Sequence, residues 1–208
     1  MFRVFNSLAT EHDWRLVTVA VIVCLSASLM GVRLLRRAQV LSGSARAMSI
    51  AASGAAAGFS IWATHFIAML AYEPGVPFAY ALGPTMLSML IAISVTLLGH
   101  TTAIAGRAWW AAPAGGAIVG AGIGATHYVG LWAIEAAGSV TWDRPLVATS
   151  SAIGILLAMG ALTLALRRSS TQATLAVTAL LALAIVVASP NDVTRMAISS
   201  ESRVRPSA

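Results

Sequence analysis

GFSIWATHFIAMLAYE, residues 58–73, and GAGIGATHYVGLWAIE, residues 120–135, are two copies of one segment. A constant shift of 62 positions aligns them. Gly58 then matches Gly120, Ile61 matches Ile123, and Ala63 matches Ala125. Thr64, His65 and Phe66 match Thr126, His127 and Tyr128, and Glu73 matches Glu135. Each copy sets a histidine inside a long apolar run. Such a residue is expensive in a bilayer and by default marks a functional site. A single one is more simply read as a packed histidine that hydrogen-bonds between helices. Two at matching positions of a repeat favour a shared site.

The rest of the chain is of the same character. It is 58% hydrophobic and 10% charged, with a mean hydropathy of +0.83. Soluble domains are about 45–50% apolar and about 25% charged, so this is a polytopic membrane protein of the all-α class. All 13 basic residues are arginine, against 7 acids, for a net charge of +6. The arginines sit in short connections between apolar runs, where membrane insertion places them. Nucleic-acid binding is therefore not expected. The single cysteine, Cys24, forms no internal disulfide. Residues 1–15 are polar and the apolar run behind them has no small-residue cleavage site, so the first run is expected to be a retained span rather than a signal peptide.

A span needs about 20 mainly apolar residues. On that measure residues 1–15 form an outer head, residues 16–189 a transmembrane domain, and residues 190–208 a polar tail. About six spans are predicted: residues 16–32, 48–72, 82–105, 113–137, 146–166 and 171–189. The EPGVP stretch at residues 73–77 ends the second. Gly54 and Gly58 form a small-xxx-small pair for close helix approach. Gly115, Gly116, Gly120, Gly122 and Gly124 make the fourth span smooth. They are packing residues rather than a phosphate loop, because no strand precedes them and no lysine follows. Trp109 and Trp110 read as interfacial anchors.

Orientation follows from the arginines. Arg33, Arg36, Arg37, Arg46, Arg107, Arg167 and Arg168 follow spans one, three and five, without acids. The connections after spans two and four hold Glu73, Asp143 and only Arg144. The positive-inside rule then puts the N-terminus outside. His65 and His127 fall in the outer halves of their spans, on the same side as His12 in the head. His100 falls on the opposite side.

His65 and Met69 are one helical turn apart and share a face. Imidazole with thioether is a soft donor set that suits copper, Cu(I) above all. The matching position in the second copy is Leu131, so a site would combine His65, Met69 and His127, with His12 closing it from the head. Packing is the plainer role for Met69 taken alone. Glu73 and Glu135 are expected at the interfacial water. No nucleophile with a nearby base indicates hydrolysis, and no charged pair within a span indicates an ion pump.

WATHFIAMLAY (residues 62–72), GATHYVGLWA (124–133), the head HDWRLV (12–17) and WDRPLVATS (142–150) together resemble the MHYT domain, a bacterial integral membrane sensor module. The resemblance runs from His12 to about residue 185 and its motifs are specific. It implies a multi-span helical domain in the bacterial inner membrane. It also implies a metal, copper, on histidine and methionine ligands, with O2, CO or NO as the sensed molecule. The family is often fused to cytoplasmic cyclic-di-GMP or histidine kinase output domains. Carried over by position, the ligand candidates are His65, Met69 and His127, with His12 as an addition.

The sequence departs from that pattern in three places. Thr64 and Thr126 replace the methionine before each motif histidine, and Leu131 replaces the later methionine of the second copy. The third copy that the family usually carries would place its histidine at Ser189 or, aligned on Met196, at Asp192. The reading is a non-enzymatic membrane sensor that passes its signal to a separate cytoplasmic protein. The alternatives are a structural or assembly protein with packing histidines, and a small metal-handling transporter.

Overall fold

The computed structural model describes residues 14–71, 79–106, 108–135, 144–168 and 176. Within them the chain forms five long helices: α1 (Trp14–Val40), α2 (Gly43–Leu70), α3 (Leu82–Ala105), α4 (Ala111–Trp132) and α5 (Arg144–Arg167). Each helix packs against the next in sequence, and α1 meets α5 again at one end. The predicted third span coincides with α3. The head, the sixth predicted span and the tail lie outside the described residues, apart from the start of α1 and Ala176. α1, α2, α3 and the Val147–Arg167 part of α5 are long and apolar enough to cross a membrane. α4, in which six of 22 residues are glycine, is not among these candidate spans.

The polarity of the bundle is that of a membrane protein. Val19, Ile22, Leu25, Leu87, Leu90, Leu98, Ile153 and Leu156 face outward. Ser28, Ser49, Ser53, Ser60, Thr64, Ser88, Thr96, Thr126 and three histidines face inward. Lipid tails solvate leucine as well as a protein core does, so burying leucine between helices gains little. Small and hydrogen-bonding residues take the interfaces instead.

Two turns of chemistry fix the ends. α1 and α2 join through a tight corner at Gly43, whose φ of +56° favours glycine. Arg33, Arg36 and Arg37, expected in a connection, lie in the last turns of α1. A helix C-terminus leaves carbonyls without intrahelical donors, and arginines supply them. Arg36 Nε donates to Ala165 O (2.8 Å) and its Nη2 to Arg168 O (2.6 Å) at the end of α5. Arg46 Nη2 donates to Ile104 O (2.6 Å) at the end of α3.

The internal repeat is a repeat of helix pairs. A Cβ at Gly54 would lie 2.7 Å from Leu97 Cα, and one at Gly58 2.5 Å from Ile93 Cα. In the second pair, Gly116 stands in the same relation to Met159 (2.5 Å) and Gly120 to Ile155 (2.6 Å). Both the glycines and the residues they touch are offset by the same 62 positions. The α2–α3 interface therefore recurs as the α4–α5 interface, backbone on backbone, where no side chain fits. At the far end a two-residue antiparallel ladder, β1 (Ala79–Tyr80) with β2 (Ile134–Glu135), ties the connections together. Ala81 N–H extends it by donating to Ala133 O (2.7 Å). Two residues per strand are too few to show a period in the sequence.

Candidate functional site

α2 and α4 bring their motif histidines together near their C-terminal ends, beside this ladder. His65 and His127 are 5% and 4% exposed. Their Nδ1 atoms are 3.3 Å apart, with ring centroids at 5.0 Å and planes at 78°. The contact is long for a hydrogen bond and needs one bare nitrogen. Without a metal, one ring carries its proton on Nδ1 and the other on Nε2.

Aromatic rings hold each imidazole. Phe66 meets His65 edge-on at 5.1 Å, and Tyr128 meets His127 in the same way at 5.1 Å. Phe66 also packs on Trp62 (5.2 Å) and on Tyr80 (5.5 Å). Burial pushes the Tyr80 phenol up to about 12, so it stays neutral. The His65 ring exists in this position because residue 130 is glycine. A Cβ there would collide with His65 Nε2 and lie 2.8 Å from its Cδ2. The equivalent residue in the first copy is Ala68, so the repeat itself did not flag Gly130.

The surroundings are buried and under-satisfied. His65 Nε2 and the hydroxyls of Thr64, Thr126 and Ser60 have no hydrogen-bond partner among the described residues. Met69, one turn beyond His65, is buried, and so is Leu131 at the matching position. His12 and Glu73 lie outside the described residues, and Glu135 is placed only as a backbone partner of Ala79. Among the described residues no group of three or more His, Cys, Asp or Glu side chains is arranged to hold a metal. The motif side chains that the structure brings together are thus the two imidazoles, with Met69 one helical turn beyond His65.

His100 is held elsewhere. Ser53 Oγ donates to Gly31 O at 2.8 Å and lies 3.0 Å from His100 Nδ1. A serine has one proton to give, so His100 donates from Nδ1 and keeps a lone pair on Nε2. Residues 53 and 65 are about 18 Å apart along α2 at 1.5 Å per residue. The sequence expectation that His100 lies away from the other two agrees with this placement. His100, Ser28 and Ser60 are the polar members of an otherwise apolar cavity of about 40 Å³ between the five helices. By volume it holds roughly two or three waters.

Comparison with known proteins gives this arrangement a context. The family model for the MHYT repeat, described as the bacterial signalling protein N-terminal repeat, matches residues 58–116 and 120–178. An uncharacterized signaling protein of Caulobacter vibrioides is 39% identical over 165 residues, 79% of this chain and 20% of its own length. The bifunctional diguanylate cyclase/cyclic di-GMP phosphodiesterase MucR of Pseudomonas aeruginosa is 32% identical over 77% of this chain and 24% of its own. The cyclic di-GMP phosphodiesterase NbdA of the same organism is 35% identical over 50% of this chain and 13% of its own. The chain thus spans a quarter or less of the length of these curated relatives. No solved structure matches it. Two copies of the repeat, in the register that the two histidines mark, place this chain in the MHYT family of bacterial signalling proteins.

Proposed function

We propose that the chain is a membrane-embedded sensor module, and that His65 and His127 are the core of a copper site near its outer face. The observation that carries the reading is the Nδ1 separation of 3.3 Å between two buried motif histidines on different helices. Imidazole nitrogens bind metals at about 2.0–2.1 Å. Two such bonds at a near-tetrahedral angle put the nitrogens about 3.3 Å apart. Met69 on the same helix and His12 from the head would add to this pair, Met69 with the soft thioether donor that suits Cu(I). When bound, copper would supply a redox-active ion of the kind that binds O2, CO or NO. The chain's own part is to fix the two imidazoles by aromatic packing and to exclude water.

The wider assignment follows the same reading. The domain from residue 16 to 189 crosses the bacterial inner membrane about six times, with the head outside and residues 190–208 as a tail. It catalyses no reaction itself, and a cytoplasmic signalling partner receives the signal. The relatives' printed activities, cyclic-di-GMP synthesis and hydrolysis, indicate the kind of partner.

One observation favours a second reading. The two Nδ1 atoms can share one proton, as those of packing histidines would. Metal analysis of the membrane-purified protein separates the two. Near-stoichiometric copper in the wild type, lost in His65→Ala/His127→Ala, is the expected result. A metal-free wild type, with the double variant folded as before, leaves only the packing pair.

A further inference from the structure

A groove between α4 and α5 is lined by Gly120, Ile123, Gly124, Tyr128, Ser150 and Gly154, among others, and encloses about 10 Å³ before it opens at its mouth. The other copy of the repeat shows what such a groove is shaped for. Shifted by 62 positions, Gly124 becomes Trp62. There the position carries an indole. It packs on Phe66, with centroids at 5.2 Å and planes at 45°, and its Nε1–H donates to Thr85 O at 3.1 Å. Ser88 Oγ donates to the same carbonyl at 2.7 Å.

The second copy keeps this frame. Tyr128 replaces Phe66 as the supporting ring. Ser150 Oγ donates to Val147 O at 3.1 Å, as Ser88 does to Thr85. Only the indole is missing: a Cβ at Gly124 would meet nothing within 4 Å. Among the described residues no charged side chain lines the groove. An uncharged, flat aromatic ring with one N–H donor matches all of its features. Its face would lie against Tyr128, and its donor would reach Val147 O.

We propose that this groove binds a free indole-type molecule, which takes the place that Trp62 occupies in the first copy. The Tyr128 ring, which would form one wall, packs edge-on against His127. Occupancy therefore reaches the histidine pair through a single side chain. The proposal does not require a metal.

The test uses the full chain in lipid nanodiscs with 5-fluoroindole followed by fluorine NMR. The expected result is saturable binding that indole displaces and that 1-methylindole, lacking the N–H, displaces about fivefold less well. Gly124→Trp, which restores the chain's own ring, should abolish it. Gly124→Leu, a milder filling that serves if the tryptophan variant does not fold, should weaken it by about tenfold or more. Trp62→Phe should leave it unchanged. Partition into lipid without saturation in the wild type would overturn the proposal. So would binding that survives both Gly124 variants. Equal displacement by 1-methylindole would mark a slot for any apolar chain and would also overturn it.

Discussion

The α2–α3 and α4–α5 pairs are the same device built twice and finished differently. Their backbones meet alike, with Gly54 and Gly58 on Leu97 and Ile93, and Gly116 and Gly120 on Met159 and Ile155. Their histidines face each other across the bundle at 3.3 Å. The side chains around that frame have diverged. The first pair carries Trp62, Ala68 and Met69, where the second carries Gly124, Gly130 and Leu131. The comparison teaches that the repeat preserves helix spacing, while single substitutions decide what each copy holds.

The equality of the two frames is the easiest part to break. Gly58→Ala and Gly120→Ala each push a methyl into a neighbouring backbone that has no free rotamer to move. Each should cost roughly 1–3 kcal/mol or more. Gly58→Ala should cost the more of the two, since its added carbon also meets the Ala92 carbonyl oxygen at 2.7 Å, whereas beyond the Ile155 Cα the next neighbours of Gly120 lie at 3.2 Å. Unfolding in detergent micelles, with the variants measured side by side, checks this. A cost confined to one copy would mean that the matching contacts carry unequal load.

The difference at Gly130 makes the opposite claim, that the copies are not interchangeable. Gly130→Ala should displace the His65 ring and cost roughly 1–3 kcal/mol. Ala68→Gly, the same exchange in reverse, should cost only the helix-propensity difference, about 1 kcal/mol. Nitrogen NMR of labelled histidines would show the His65 signals moving in the first variant and not in the second. If both variants leave His65 in place, Gly130 is a packing residue and nothing more.

These contrasts also show how far the sequence could be read. The 62-residue offset, the two histidines and the extent of α3 were legible, because an apolar run with a repeated polar residue is a one-dimensional signal. The meeting of His65 with His127 was a fair inference from their shared depth. Gly130 was not legible: its role depends on a ring from another helix, and the first copy has alanine there. The Ser53–His100–Gly31 link was hidden for the same reason. The arginines were read as connection residues, yet Arg36 lies in the last turns of α1 and donates to the carbonyls of α5. His12 and the sixth predicted span belong to residues that the structure does not describe.

A smaller effect isolates the polar part of the Trp62 contact. Trp62→Phe keeps an aromatic ring against Phe66 and removes the donor to Thr85 O. A typical hydrogen bond is worth a net 0.5–1.5 kcal/mol or about that. Here Ser88 Oγ still donates to the same carbonyl, which places the loss at the lower end. A loss well above about 2 kcal/mol would show that the indole holds α2 to α3 by shape rather than by its donor.

An effect of similar size is a gain, and it concerns the same position in the other copy. Gly124→Ala adds a methyl where nothing lies within 4 Å, so no contact opposes it. Glycine inside a helix is less favourable than alanine by roughly 0.5–1 kcal/mol, through the backbone freedom that it gives up. The substitution should therefore stabilise α4 by about that amount, whereas alanine at Gly120, one turn earlier on the same helix, destabilises it. Only the neighbour differs: Gly120 faces Ile155 at backbone distance and Gly124 faces open space. A thermal unfolding series of Gly120→Ala, Gly124→Ala and the double variant measures both signs at once. Loss of stability in Gly124→Ala would mean that another part of the chain occupies the groove, and the contrast between the two copies at this position would disappear.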